Sequence, residues 1–320
     1  MQERKFYLKA YGKINLYLDV LGRRKDGYHY IYSMMQNIGI ADEIIFERIK
    51  NPSNKYCFIK DVGLEFCMKD STILCDENNL AIKGAAKVLE SLEEKEPGTC
   101  RRLSQEVIRI EVTKKIPVAA GLAGGSADAA VVMIGLNELA GSILTVEELM
   151  KAGIEVGSDV PFSIMMNVAM NEELLKTRGS RSCAAIVKGI GETVIPTLPV
   201  RKHVVLINPG VPISTKMIYG EVDRCFCSNW ESDHQRECYE KKKDFYNIIE
   251  DCTISLSAKF LRDWMCSHMN ADIILMSGSG PTMVAYYEDE KLATKYAELA
   301  KKEAEKHEGW RVFKTVSGGR

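Results

Sequence analysis

The sequence predicts an α+β fold divided between two domains. Stretches with the period-2 alternation of strands occur beside stretches with helical spacing, without the strict βαβ order of a doubly wound sheet. At 320 residues, 46% hydrophobic and 27% charged, the chain has a globular composition and the length of two medium domains. The irregular pattern from Asn167 to Ser182 places the expected junction near residues 165–185, dividing the chain into 1–166 and 167–320.

In the first part, Ile14, Leu16, Leu18 and Val20 alternate with Lys13, Asn15, Tyr17 and Asp19. A strand is expected there, with Lys13 and Asn15 sharing the face opposite the core. Asn79 to Glu94 spaces Leu80, Ala81, Ala85, Val88, Leu89 and Leu92 as on one helix face, and Glu106 to Val112 returns to alternation. Ser126 to Leu139 reads as a helix with Ser126 at or near its N-cap, and Thr145 to Ala152 as a shorter one. In the second part, His203 to Asn208 is an apolar strand ended by Pro209-Gly210, and Ile273 to Met276 and Met283 to Tyr287 are strands on either side of a glycine-rich loop. Lys291 to Lys306 is a charged amphipathic helix and Trp310 to Val316 a final strand. The polar stretch Arg224 to Lys243 reads as a surface loop or solvated helix.

Forty-three basic against 44 acidic residues leave a net charge of -1, so no global field draws nucleic acid or an anionic membrane. Neither partner is expected, and an anionic ligand needs a local site. The ten cysteines contain no CxxC pair, which excludes a zinc ribbon and a thioredoxin motif. The charged start MQERKFYLKA is not a signal-peptide pattern and no apolar run reaches membrane-spanning length, so a reducing, bacterial-type cytoplasm with free thiols is expected.

The least ordinary segment is Pro117-Val-Ala-Ala-Gly-Leu-Ala-Gly-Gly-Ser-Ala-Asp-Ala-Ala130. Glycine has no Cβ, so Gly121, Gly124 and Gly125 can take positive φ and bring backbone N–H groups close to a bulky anion. A helix starting at Ser126 would add its unpaired N–H groups and the positive end of its dipole, the usual physics of a di- or triphosphate site. The plain alternative is a tight turn before a helix packed closely on a sheet. A P-loop is excluded by the missing Gly-Lys-Ser/Thr ending, and a dinucleotide fingerprint by the missing GxGxxG spacing. The second loop, Ser277-Gly278-Ser279-Gly280-Pro281, reads equally as a hairpin turn or as a phosphate cover.

Phosphoryl transfer needs positioning, countercharge and an acceptor for the proton of the attacking hydroxyl. Lys13 is the candidate cation, against the default of an exposed lysine. Asp159, in Gly157-Ser-Asp-Val-Pro161, is the candidate base, against a helix cap or Asx-turn. Tyr28 and His29, after the basic run Arg23-Arg24-Lys25, suit a flat heterocycle, against a turn with half-buried aromatics.

In order along the chain stand Gly12-Lys-Ile-Asn-Leu16, Gly22-Arg-Arg-Lys-Asp-Gly-Tyr-His29, Asp76-Glu-Asn-Asn-Leu80, the Pro117–Ala130 loop, Gly157-Ser-Asp-Val-Pro-Phe162, Gly189-Ile-Gly-Glu192, Pro209-Gly-Val-Pro-Ile-Ser-Thr215 and Met276-Ser-Gly-Ser-Gly-Pro281. In these motifs the chain resembles the GHMP small-molecule kinases over nearly its full length. KINL, GRRxDGYH and GSDVPF point within them to the branch that phosphorylates a cytidine diphosphate methylerythritol, with homoserine, mevalonate or a sugar as the alternative acceptors. The resemblance implies a ribosomal-protein-S5-like N-terminal domain, a ferredoxin-like C-terminal domain, and a site in the cleft between them. It implies that Asp159 is the general base and that Lys13 orients it and stabilises charge. It implies that Pro117, Val118, Ala119, Ala120, Gly121, Leu122, Ala123, Gly124, Gly125, Ser126 and Ala127 wrap the phosphates of ATP. Asn79, Leu80 and Lys114 are implied around the nucleotide, and Asn15, Tyr28 and His29 around the cytidine substrate. Mg²⁺ is implied as the partner of ATP, with Ser126 its foremost protein contact and Asp128 a second. Ala123 and Ala127 stand where many relatives carry Gly and Ser, and the chain between Asp159 and Gly189 runs about a dozen residues long, an insertion expected at Asn167 to Ser180.

Overall fold

The computed structural model describes residues 5–50, 57–69, 73–226, 245–252 and 255–319. In chain order its elements are β1 (Lys5–Arg23), β2 (His29–Ile49), β3 (Cys57–Ile59), β4 (Val62–Lys69), α1 (Leu80–Lys95), α2 (Thr99–Leu103), β5 (Val107–Thr113), α3 (Gly124–Ala140), α4 (Val146–Gly153), α5 (Val160–Met170), β6 (Ala184–Gly189), β7 (Thr193–Thr197), β8 (Lys202–Asn208), α6 (Thr215–Phe226), β9 (Tyr246–Asn247), α7 (Ile249–Cys252), α8 (Leu256–His268), β10 (Ile273–Met276), β11 (Met283–Tyr287), α9 (Glu290–Ala304) and β12 (Arg311–Ser317). They fall into two compact units, each assembled from separated stretches. The first comprises 1–12, 40–116 and 124–183, and the second 13–39, 117–123 and 184–320.

In the first unit the Glu43–Ile49 half of β2 pairs antiparallel with β5, β5 runs parallel to β4, and β4 pairs antiparallel with β3. Parallel β4 and β5 need a crossover, which α1 and α2 supply. The alternation read in Glu106 to Val112 is realised: Ile108, Ile110 and Val112 enter the core, while the β5 residue Arg109 pairs with Glu65 on the adjacent strand. The core joins these strands to Ala81, Ala85, Val88, Leu89 and Leu92 of α1 and to the apolar residues of α3 from Ala127 to Leu139. Helix α3 is apolar on all sides because α1 and α5 also pack on it. Gly135 of α3 lies against the Phe46 ring, which stacks on Phe6.

The α3 helix begins at Gly124, so Ser126 lies inside its first turn and is not the N-cap. Helix α4 carries the expected start, with Thr145 and Glu148 forming a capping box. The irregularity expected from Asn167 holds only from Asn171, because α5 runs on to Met170. Asn167 and Asn171 are buried and serve β1: Tyr11 N–H donates to Asn167 Oδ1 and Lys9 N–H to Asn171 Oδ1, whose amide returns a bond to Lys9 O. Two side chains thereby complete the polar edge of a strand.

In the second unit β10, β11, β8 and β12 form an antiparallel run in that order. Ser317 of β12 pairs with Ile38 of β2, whose Ile31–Gln36 stretch pairs with β6, and β6 with β7. Tyr17 and Leu18 of β1 pair in parallel with β9. The half-buried strand read from the alternation at Ile14 to Val20 is buried on both faces: Lys13, Asn15, Tyr17 and Asp19 are as enclosed as their apolar neighbours. Alternation in sequence marks two chemically different faces here, one apolar and one polar, and neither faces solvent. Arg224 and Phe226 of the polar stretch belong to α6, and 227–243 lie outside the described residues. Among the described residues, no helix is long and apolar enough to cross a membrane.

Candidate functional site

In the second unit, Lys13 and Asn15 share a face of β1 and are 3% and 1% exposed. Lys13 Nζ donates to Asn15 Oδ1 at 2.8 Å, and Asn15 Nδ2 donates to Ser33 Oγ at 2.8 Å, which in turn donates to Tyr17 O. A buried ammonium held by an aligned amide is a preset cation, not the exposed lysine that is the default for its type. Lys13 N–H donates to Leu122 O at 3.0 Å, tying the same strand to the glycine loop.

The two glycine-rich loops meet in this unit. Ser277 Oγ donates to Gly121 O at 2.9 Å, and a Cβ on Gly121 would collide with Ser277 O. A Cβ on Gly278 would stand 3.2 Å from Lys13 Nζ and 3.4 Å from Asn15 Oδ1. Both glycines have positive φ, which strains any side chain, and at Gly121 the collision with Ser277 O excludes one. The second loop is therefore a hairpin connection between β10 and β11 and also the neighbour of the first. Asn247 of β9, which sequence reasoning missed, holds it by donating to Met276 O and Gly278 O at 2.9 and 2.8 Å. Glu250 accepts from Met276 N–H and pairs with Arg262; burial pushes its carboxyl up despite those partners. Thr215 Oγ1 lies 3.1 Å from Ser279 Oγ.

Within the first loop the left-handed residues are Ala119, Gly121 and Ala123, while Gly124 and Gly125 are helical. The expectation that all three glycines would supply positive φ is corrected accordingly: two alanines take that role at steric cost. Among the described residues, no backbone N–H from Gly121 to Ser126 donates to another backbone group outside the helices and strands. A run of such donors at a helix start is what a phosphate chain requires. Pro117, Ala120 and Leu122 anchor the loop by burial, Val118 and Ala119 are exposed, and the Ala127 methyl is in the core, so its loss of a hydroxyl relative to Ser is a packing matter.

The first unit carries both ends of that loop. Lys114 Nζ bridges Asp42 Oδ2 and Asp128 Oδ2, and Asp42 Oδ1 accepts from the N–H groups of Lys115 and Ile116. Burial pushes the Asp128 carboxyl up against the pull of Lys114, and the charge on Asp42 adds to the rise. The Lys114 amine is also pushed up: burial opposes its charge, and the two carboxylates overcome that. Asn79 is the N-cap of α1, accepting from Ala81 N–H at 2.9 Å, and Leu80 Cδ1 would be 3.5 Å from a Cβ on Gly125. Ser126 is half-buried in the first turn of α3, and Asp128 Oδ1 is buried without a hydrogen-bond partner. Among the described residues no cluster of His, Cys, Asp and Glu could hold a metal by itself.

Asp159 stands at the N-cap position of α5 with no side-chain capping bond, and Pro161 opens the helix. The helix-cap alternative is therefore not realised by this side chain. In the second unit His29 Nε2 lies 2.7 Å from Asp223 Oδ1, Arg23 pairs with Asp223 at 3.2 Å, and the His29 ring tilts over Tyr219 at 4.9 Å. Asp223 and Tyr219, both on α6, were not legible in the sequence because nearly two hundred positions separate them from His29. Tyr28 is 55% exposed beside that cluster's strand, in a turn held by Asp26.

Comparisons with known proteins identify the family. Residues 79–167 match the GHMP kinases N terminal domain family. A 4-diphosphocytidyl-2-C-methyl-D-erythritol kinase of Geobacter sulfurreducens is 34% identical over 92% of this chain and 95% of its own length. One from Lachnospira eligens is 34% identical over 89% of each. A crystal structure of a 4-(cytidine 5'-diphospho)-2C-methyl-D-erythritol kinase covers 98% of this chain and 100% of its own with a TM-score of 0.68 at 24% identity. A homoserine kinase from Cytophaga hutchinsonii, at 17% identity and a TM-score of 0.57, shares the fold. A mixed α/β chain matching these relatives over 92% and 89% of its length belongs to the 4-diphosphocytidyl-2-C-methyl-D-erythritol kinase family of the GHMP kinases.

Proposed function

We propose that this chain transfers the γ-phosphoryl group of ATP to the C2 hydroxyl of 4-diphosphocytidyl-2-C-methyl-D-erythritol, giving the 2-phosphate and ADP on the non-mevalonate route to isoprenoid precursors. The observation that carries the reading is likeness at 34% identity, over 92% and 89% of the chain, to kinases of that name. The local geometry supports it: a buried Lys13 beside two interlocked glycine loops is a site for phosphoryl chemistry.

In this reading the N–H groups of residues 121–126, with the rest of 117–127, hold the ATP phosphates, and Asn79 and Leu80 border the nucleotide. Asp159 takes the proton of the acceptor hydroxyl as its oxygen forms a bond to Pγ and the bond from Pγ to the ADP oxygen breaks. Lys13, pre-aligned by Asn15, orients that carboxylate and offsets charge on the transferring group. Mg²⁺ accompanying ATP would supply neutralisation of the phosphate oxygens, with the Ser126 hydroxyl as its protein contact. Asn15, Tyr28 and His29 hold the cytidine moiety, the His29 imidazole oriented by Asp223. A ribosomal-protein-S5-like domain over 1–166, a ferredoxin-like domain over 167–320 and a cytoplasmic location belong to the same reading.

The test is ADP release by purified protein with Mg-ATP and the cytidine substrate. Turnover well above the acceptor-free rate is expected. No rise above that rate would overturn the reading, and turnover with homoserine, mevalonate or galactose in its place would move the protein to another acceptor class.

A further inference from the structure

We propose that Asp42, Lys114 and Asp128 form a clamp positioning both ends of the ATP-binding glycine loop, so that Lys114 governs nucleotide affinity through the loop and not by touching the nucleotide. The proposal rests on the ATP-kinase reading above. It reassigns Lys114 from a nucleotide contact to a positioning residue.

The chain leaves β5 at Thr113, passes through Lys114, Lys115 and Ile116 into the loop, and re-enters regular structure at Gly124. Asp42, on β2 and fully buried, accepts from the N–H groups of Lys115 and Ile116 and so fixes the entry. Its other oxygen accepts from Lys114 Nζ, which reaches across to Asp128 on α3 and fixes the exit. One line of charge-assisted hydrogen bonds thus spans strand, loop entry and helix start. The side chains are 8%, 0% and 4% exposed for Lys114, Asp42 and Asp128. The ammonium sits beneath the first residue of the helix, 3.4 Å from where a Cβ on Gly124 would stand.

Two carboxylates close on the one ammonium, and Asp128 Oδ1 has no partner. A lysine so engaged is a poor direct ligand for phosphate. It is well suited to fixing backbone geometry, because each of its bonds ends on a different segment. The loop N–H groups gain from that: with the entry donors spent on Asp42, those of Gly121 to Ser126 keep one orientation toward a phosphate.

The decisive comparison is among Lys114→Met, Asp42→Asn and Asp128→Asn, read by the Kd for ATP with and without Mg²⁺, by the KM for ATP and for the acceptor, and by Tm. A clamp requires all three to weaken ATP binding about tenfold in both conditions while the KM for the acceptor stays within about twofold. It also requires Asp42→Asn/Lys114→Met to be no worse than the poorer single variant, since the parts act as a unit. Direct contact by Lys114 would weaken binding in Lys114→Met alone and leave or tighten it in the carboxylate variants, which overturns the proposal. Losses confined to Tm, or an Asp128→Asn effect that vanishes without Mg²⁺, overturn it as well. Should Lys114→Met not fold, the two isosteric Asp→Asn variants carry the test. Failure of the parent protein to phosphorylate the acceptor would count against the functional reading, while ATP binding by the variants still decides the clamp.

Discussion

Asp159 and Gly121 show how a single residue is read differently before and after the fold is known. From sequence, Asp159 is balanced between base and helix cap; in the fold it occupies the cap position without making the cap bond. Asp159→Asn is therefore expected to keep ATP binding and the folded state while lowering single-turnover phosphoryl transfer by about 10²–10⁴-fold, the range for loss of a positioned base. Calorimetric ATP binding beside rapid-quench turnover checks both halves. From sequence, Gly121 is a residue able to take positive φ beside an anion. In the fold its φ is +75° and its missing Cβ makes room for Ser277 O. Gly121→Ala is expected to cost about 2 kcal/mol or more, from left-handed strain and a backbone collision together. Urea denaturation measures it.

Elements set the next constraints. Helix α3 must lie close on the sheet to place its N-terminus, and Gly135 is where it passes the Phe46 ring. Gly135→Ala overfills that contact and is expected to destabilise by about 1–3 kcal/mol, seen as a lower urea midpoint at unchanged slope. Hairpin β10–β11 is held at its loop by Asn247 and at Met276 by Glu250. Burial raises the Glu250 carboxyl in the folded state, so folding takes up a proton there. Its contribution is most favourable below the ordinary glutamate range near pH 4.5 and is lost as pH rises through the raised folded value. Glu250→Gln retains an acceptor for Met276 and removes that slope. The difference in unfolding free energy between parent and variant is expected to shift in favour of the variant as pH rises from about 4 to 7, and a flat difference would rule out this assignment.

At the scale of the whole molecule, the units interleave: the glycine loop belongs with 13–39 and 184–320, while the segments leading into and out of it belong with 40–116 and 124–183. The acceptor is the property that belongs to this scale, since residues from distant parts of the chain must recognise it. CMP is expected to inhibit competitively against the cytidine substrate and not against ATP, while homoserine and mevalonate remain unphosphorylated; steady-state inhibition patterns and an acceptor panel check this.

Local sequence was sufficient wherever structure is set by near neighbours. The alternation of Glu106 to Val112, the capping box at Thr145 and the helix after Asn79 are all visible as periodicity or as side chains bonding three residues away. The glycine loop and its place before a helix were legible for the same reason, as were Lys13 and Asn15 on one strand face. Burial of that face was not, because alternation distinguishes two faces without saying what covers them. Nor were the Asp42–Lys114–Asp128 bridge, the hold of Asn247 on the second loop, or the pairing of His29 with Asp223. Each joins residues whose separation in sequence carries no periodic signal, so only long-range packing brings their charges and donors to bonding distance. The sequence by itself thus determined the kinds of element and the motifs that do phosphate chemistry. Tertiary structure alone decided which ions are buried, which carboxylates are already engaged, and which backbone donors remain for a ligand.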